Sequence, residues 1–297
     1  MKQVSPSELA IFLTIARHNN LSRASVDLGL TPSALSHALR SIEERLGLRL
    51  FNRTTRSVAL TEAGERLHAR IAPAFRDIDD ALEDLNHFRG KPSGNLRLTT
   101  GRASAHIVLL PVVARFLQAY PEVTVEIADN DALVDIVSGG FDAGVRLGQR
   151  VEKDMVAIPI SPAMRSVVVG APEFFRHHPV PKHPKDLTRT PCIRHRFPSG
   201  AVYRWEFERR GVKLETQVDG PLTLGDVGLM VGAALYGAGL AYVFEDMVAE
   251  HIAAGRLVQV LDDWCPRYPG FYLYYPSRRH VPAALKAFIE FVQASRA

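Results

Sequence analysis

The chain has 297 residues, 46% hydrophobic and 23% charged, with 36 lysines and arginines against 32 aspartates and glutamates, a formal net charge of +4. That length exceeds one small core and points to two or three folding units, and the composition is that of a globular protein rather than a disordered or fibrous one. Cys192 and Cys265, far apart and outside any Cys-x-x-Cys spacing, argue against a disulfide scaffold and a zinc site.

The first residues, MKQVSPSELA, lack the apolar run and cleavage site of a secretion signal, so a cytoplasmic location is expected. Ser5, Pro6 and Glu8 form a capping-box start for a helix to about His18, with Leu9, Phe12, Leu13 and Ala16 on its inner face. A short second helix, capped by Ser22, runs to Leu28 and stops at Gly29. Thr31-Pro32 opens a third, to Leu46, with Leu35, Leu39 and Ile42 inward. Ser33, Ser36, His37 and Arg40 then face outward, where a helix in a major groove reads bases. Two extended pieces follow around a tip of Arg53, Thr54 and Arg56, and Thr61 caps the next helix. Such a tip suits phosphates or a narrow minor groove. Arg40, Arg45, Arg49, Arg53, Arg56 and Arg66 concentrate positive charge in this stretch.

Leu67, Ile71, Ala74, Ile78, Ala81, Leu85 and Phe88 alternate spacings of four and three, a coiled-coil-type seam that a helix packed on its own domain would also show. Pro73 is expected to kink or loosen this helix, and Lys91 to Asn95 reads as a hinge. Beyond it the chain alternates strands and helices. Strands are expected at Leu96–Thr100, Val123–Ala128 and Ala143–Arg146, and helices at Ile107–Tyr120 and Asp131–Ser138. This order indicates an α/β domain on a largely parallel sheet. A second lobe is expected from Met164–Gly170, Cys192–Phe197, a hairpin about Arg209-Arg210-Gly211, a helix after Asp226, and strands Leu240–Phe244 and Leu257–Val260. Phe271–Tyr275 and a helix from Pro282 to Ala294 return to the first lobe. The uncharged run Val227–Phe244 is broken by Gly237 and Gly239, and reads as a buried helix and strand rather than a membrane span.

Together Leu9-x-x-Phe12, Leu21-Ser22-x-Ala24, Leu28-Gly29, Ser33-Ala34-Leu35-Ser36, Ile42-Glu43, Leu46-Gly47, Leu50-Phe51-x-Arg53 and Leu60-Thr61-x-Ala63-Gly64 resemble the signature of LysR-type transcriptional regulators. Where that family often carries a base-reading glutamine this chain has Pro32, which shifts base discrimination toward Ser33, Ser36, His37 and Arg40. The looser motifs Phe116-x-x-x-Tyr120-Pro121 and Asp142-Ala143-Gly144-Val145-Arg146-x-Gly148 resemble the family's effector domain, a two-lobed fold like the periplasmic solute-binding proteins.

The resemblance implies a winged helix-turn-helix over residues 1–64, a linker and dimerisation helix with hinge over 65–91, and an effector domain over 92–297, with lobe I at 92–163 and 268–297 and lobe II at 164–267. Leu67, Ile71, Ile78, Leu85 and Phe88 would pair two subunits, and sensor-domain contacts would make a tetramer. Operator DNA, a small-molecule effector and further copies of the chain are the implied partners, with RNA polymerase a further candidate and no membrane, cofactor or metal. Folds of this kind bind ligands beside strand ends and helix N-termini. Mapped here, the effector candidates are Thr100, Gly101, Arg102, Ser104, Asp129, Arg146, Gly148, Arg196, Phe197 and Asp226. The arginines, with Arg194, suggest an anionic effector, and a neutral aromatic one held by Phe197, Tyr203 or Phe244 is the alternative.

Other classes compete less well. The motifs Gly-x-Ser-x-Gly, His-Glu-x-x-His and Gly-x-Gly-x-x-Gly are missing, which argues against an enzyme, and His177-His178 lacks partner ligands. A transport solute-binding protein would carry the lobed domain without the winged helix. A redox-sensing regulator of the same family would use Cys192, whose neighbours Arg194 and His195 could lower its pKa, and the alternative is a buried strand cysteine.

Overall fold

The computed structural model describes residues 4–53, 58–87, 92–132, 136–148, 155–277 and 281–295. The chain forms two compact units, Met1–Arg89 and Gly90–Ala297.

In the first unit, α1 (Pro6–His18) starts with the capping box: the Glu8 N–H donates to Ser5 Oγ at 3.3 Å and the Ser5 N–H to Glu8 Oε2 at 2.9 Å. Those bonds, first the one from the Ser5 backbone, hold the Glu8 carboxyl below the usual carboxylate range. α2 (Leu21–Asp27) is capped by Asn20, two residues before the expected Ser22, because the extended Asn20 places its side-chain oxygen 3.1 Å from the Arg23 N–H. α3 (Pro32–Leu46) has the expected Thr31 cap and ends at Gly47 in the left-handed region. β1 (Phe51–Arg53) and β2 (Val58–Leu60) pair antiparallel, and α4 (Glu62–His87) follows. Phe12, Ile15, Leu35, Leu39, Ile42 and Phe51 are buried together. Glu43 ties α3 to the wing, its Oε1 accepting from the N–H groups of Leu50 (2.9 Å) and Phe51 (3.2 Å). α4 continues through Pro73, so a single missing donor does not end a helix of 26 residues.

The second unit opens with β3 (Gly94–Thr100). A helical run follows without a break, from α5 (Arg102–Ser104) through a π-helical turn (Ala105–Leu109) into α6 (Leu110–Ala119). It begins five residues before the expected Ile107. β4 (Val123–Asp129), α7 (Ile136–Gly139), β5 (Ala143–Leu147) and β6 (Met155–Pro159) complete the first lobe's local elements. Asp131 and Ala132 form a bend instead of the expected helix start, because Asn130 Oδ1 takes the Ala132 N–H at 2.9 Å.

The second lobe contains β7 (Met164–Gly170), α8 (Phe174–His177), β8 (Arg194–His195), β9 (Trp205–Arg209), β10 (Val212–Thr216), β11 (Thr223–Leu224), α9 (Val227–Leu235), β12 (Ala241–Phe244), α10 (Glu245–Ala253), β13 (Val258–Val260) and β14 (Arg267–Tyr268). The expected strand Cys192–Phe197 is reduced to β8 with single bridges at Cys192 and Arg196. β15 (Phe271–Pro276) then re-enters the first sheet and α11 (Ala283–Ala294) packs on it. The uncharged run resolves into α9 and β12, with Gly237 and Gly239 at positive φ between them. Among the described residues no helix is long and apolar enough to cross a membrane.

The first sheet has the order β4-β3-β5-β15-β6, with β3 parallel to β4 and β5 but β15 antiparallel to β5 and β6. In the second, β12, β13 and β14 all pair antiparallel with β7. The expected largely parallel sheet is therefore mixed, because β15 returns from the second lobe and lies antiparallel between β5 and β6. The chain passes between the sheets twice, and the two passages touch. Ser161 Oγ accepts the Phe271 N–H at 2.8 Å, and a Cβ on Gly270 would sit 2.0 Å from the Pro162 carbonyl oxygen.

Both cysteines are buried in the second lobe's core. Burial, reinforced by Asp219, pushes the Cys192 thiol up to about 12, overriding the lowering expected from its sequence neighbours, and burial pushes Cys265 up to about 11. Neither thiol should react appreciably with a disulfide reagent in native protein at pH 8, while both titrate in denaturant. A native Cys192 reacting at the rate of a free thiol would contradict this.

Gly64 gives a second test. A Cβ there would lie 2.2 Å from the Leu50 carbonyl oxygen, which also accepts the Thr61 N–H at 2.9 Å. Gly64→Ala should push the wing's first strand from α4 and cost about 1–3 kcal/mol in denaturant unfolding. A change within about 0.5 kcal/mol would show that the strand yields freely.

Candidate DNA-reading surface and effector cleft

On α3, Ser33, His37 and Arg40 are exposed, as are Pro32 and Ala34, whereas Ser36 is half-buried. The helix therefore presents a mixed polar and methyl surface, with Ser36 turned toward its flank. Of the expected basic cluster, Arg45 is paired with Glu8 (3.1 Å) and Arg66 with Glu62 (3.0 Å), while Arg40 and Arg49 are exposed. Arg53 ends β1, and Thr54 and Arg56 lie outside the described residues.

The seam of α4 divides in two. Leu67 and Ile71 pack against the first unit's own core, so their apolar character is already accounted for. Further along, Ile78 is 55% exposed and Leu82, which the seam did not include, 59% exposed. Phe88 lies outside the described residues, and the Leu85 side chain is likewise not described.

In the second unit a cavity of about 610 Å³ opens between the two sheets. Gly101, Ser104 and Arg146 line it from the first lobe, and Phe197, Tyr203 and Phe244 from the second. Thr100 stands behind this wall, its hydroxyl 2.7 Å from Ser104 Oγ. Arg102, Asp129, Gly148, Arg196 and Asp226 do not line the cavity. A Cβ on Gly148 would strike the Tyr272 ring at 2.5 Å, so that glycine serves strand packing.

The arginines do not converge. Arg102 lies 3.9 Å from Asp226, and Arg194 lies 3.5 Å from Asp219. Arg146 reaches the cavity, yet it is 7% exposed and donates to the carbonyls of Val145 (2.9 Å), Asn130 (3.2 Å) and Ala132 (3.3 Å). Its charge is thus engaged in holding the rim.

Sequence reasoning missed several wall residues. Asp131, His195, Glu206, Lys213, Tyr242 and Arg267 all face the cavity. Asp131 had a signal, lying two residues beyond the effector candidate Asp129. Glu206 and Lys213 sit on the β9–β10 hairpin, and that hairpin's position over the cleft had none. The cleft's aromatic side is continuous: His195 contacts Phe197 (ring centroids 4.8 Å), Phe197 contacts Tyr203 (5.8 Å), and Tyr242 stacks on Trp205 (5.4 Å). The Tyr242 hydroxyl donates to the Glu206 carbonyl at 2.6 Å, and burial raises its pKa above the ordinary range.

Residues 6–65 match the family described as bacterial regulatory helix-turn-helix protein, lysR family, and residues 89–297 match the LysR substrate binding domain. The chain is 42% identical to the HTH-type transcriptional regulator YcaN of Escherichia coli (strain K12), over 99% of this chain and 96% of that one. It is 41% identical to the HTH-type transcriptional regulator PgrR of the same organism, over 98% and 97%. Among solved structures, the full-length virulence activator AphB of Vibrio cholerae superposes with a TM-score of 0.65 at 23% identity, covering 98% of this chain and 99% of that one, which bears on the fold. With a helix-turn-helix and wing in its first unit and a cleft between two α/β lobes in its second, the chain belongs to the LysR family of transcriptional regulators.

Proposed function

We propose that this regulator binds operator DNA as a homodimer and that a small, mainly apolar organic effector in the interlobe cleft adjusts that binding. Residues 1–64 form the reading head, 65–91 the linker and 92–297 the sensor. Ser33, His37 and Arg40 meet base edges, with Ser36 at their flank, and Arg53, Thr54 and Arg56 meet the DNA backbone. The observation that carries the effector reading is the cavity itself, whose volume falls within the range of small-molecule sites and whose walls combine aromatic faces with hydroxyls of Ser104, Ser166 and Tyr203. The anionic preference expected from four arginines loses its motivation once Arg102 and Arg194 sit beside carboxylates, Arg196 lies off the cavity and Arg146 serves carbonyl groups. A neutral or mixed-charge aromatic molecule against Phe197, Tyr203 and Phe244 fits better. Pairing through the exposed half of α4 supplies the dimer, with a tetramer built by sensor contacts. RNA polymerase is a further partner in this reading. The buried, raised thiols give the redox alternative no support.

Charged substitutions at Ile78 and Leu82 would bury an unpaired charge in an apolar seam and should dissociate the dimer in sedimentation experiments. An unaltered oligomer would refute the pairing. For the cleft, tryptophan emission of a Trp264→Phe protein isolates Trp205, which stacks on the cavity-lining Tyr242. Small aromatic ligands should change that emission saturably, and Phe197→Ala should weaken them about tenfold through loss of an aromatic face. Equal affinity in both proteins would place the ligand elsewhere.

A further inference from the structure

Asp131 sits on the cavity wall with Oδ1 accepting the backbone N–H of Arg102 at 3.0 Å. That N–H belongs to the start of the helical run from α5 to Ala119, whose dipole favours negative charge. Two features hold the carboxylate there. Arg146 donates to the carbonyls on either side of it, those of Asn130 and Ala132. Gly101 leaves it room, since a Cβ at that residue would lie 3.0 Å from Asp131 Oδ1. Glu206, Glu208 and Glu215 also line the cavity against three lining cations: Lys213 on the same hairpin, Arg267 at 3.9 Å from Glu245, and Arg146, which is engaged with the rim.

Building on the cleft reading above, we propose that Asp131 determines the cleft's specificity. As a carboxylate of the protein itself it covers the Arg102 N–H, which lies between the cavity-lining Gly101 and Ala103 and which a ligand carboxylate would otherwise take. The cleft therefore turns away simple carboxylic acids and accepts a ligand that presents an N–H donor, amide or ammonium, to Asp131. A carboxylate accepts several hydrogen bonds, so the one from Arg102 leaves capacity for the ligand. The discrimination is repulsive as well as attractive: a second carboxylate beside Asp131 meets a like charge in a partly desolvated site.

The test uses full-length protein, wild type and Asp131→Asn, with benzoate, benzamide and benzylamine as probes, each followed by Trp205 emission in the Trp264→Phe background. Asparagine keeps an acceptor for the Arg102 N–H and removes the charge. Wild type should bind benzamide and benzylamine at least tenfold more tightly than benzoate. In Asp131→Asn, benzoate should tighten about tenfold, benzylamine should weaken, and benzamide should stay within twofold, which also reports that the cleft is intact. Asp131→Ser, which frees the N–H altogether, should favour benzoate further. Benzamide binding with benzoate unchanged in both variants would overturn the proposal and leave the cleft reading standing. Failure of all three probes to bind wild type and both variants would overturn the cleft reading and the proposal with it.

Discussion

A guanidinium that is 7% exposed cannot stay charged without acceptors around it, and Arg146 finds three of them in the backbone carbonyls of Val145, Asn130 and Ala132. Those carbonyls belong to β5 itself and to the bend after β4, so one side chain joins two strand ends of the first lobe. The rest of the cleft's first wall depends on that junction. It fixes the bend that carries Asp131, and Asp131 in turn meets the first amide of the helical run beyond Gly101. A residue that resembles an anion-binding arginine in the sequence is thus the anchor of a carboxylate-bearing rim.

The second wall is built differently. Stacked aromatic side chains of β9 and β12 form its floor, and the alternation of β9 places Trp205 and Phe207 inward while Glu206 is exposed beside the cavity. The two walls meet where the chain crosses between sheets, where Gly270 lets one passage lie directly on the other, and again where Arg102 lies 3.9 Å from Asp226. Beside those passages Met164, Phe244 and Tyr268 of the second lobe pack with the first lobe's core. A ligand between two lobes shifts their arrangement only as far as it prefers one arrangement over another.

Much of this was legible in the sequence because it is local. The capping box at Ser5 and Glu8, the Thr31-Pro32 helix start, the Gly47 stop and the Thr61 cap are short-range chemistry, and each stands where the spacing indicates. The Ser22 cap failed for a local reason too, since Asn20 offers an equivalent oxygen earlier and in better geometry. What escaped was long-range. Strand direction in the first sheet depends on β15 returning more than 120 residues after β5, and no pattern within β15 encodes its antiparallel pairing. Candidate effector residues near strand ends, such as Gly101, Ser104 and Arg146, line the cavity. Others stand off the cavity beside a carboxylate that no local pattern indicates, Arg102 beside Asp226 and Arg194 beside Asp219. Burial likewise outweighed sequence proximity at Cys192.

If occupancy of the cleft changes how the chain holds DNA, footprints of the full-length protein on its own chromosomal sites should differ with and without a saturating cleft ligand. Protection is expected at two half-sites related by two-fold symmetry, with its extent or spacing altered by the ligand. Protection identical at every ligand concentration, on a protein whose Trp205 emission shows the cleft to be filled, would contradict it.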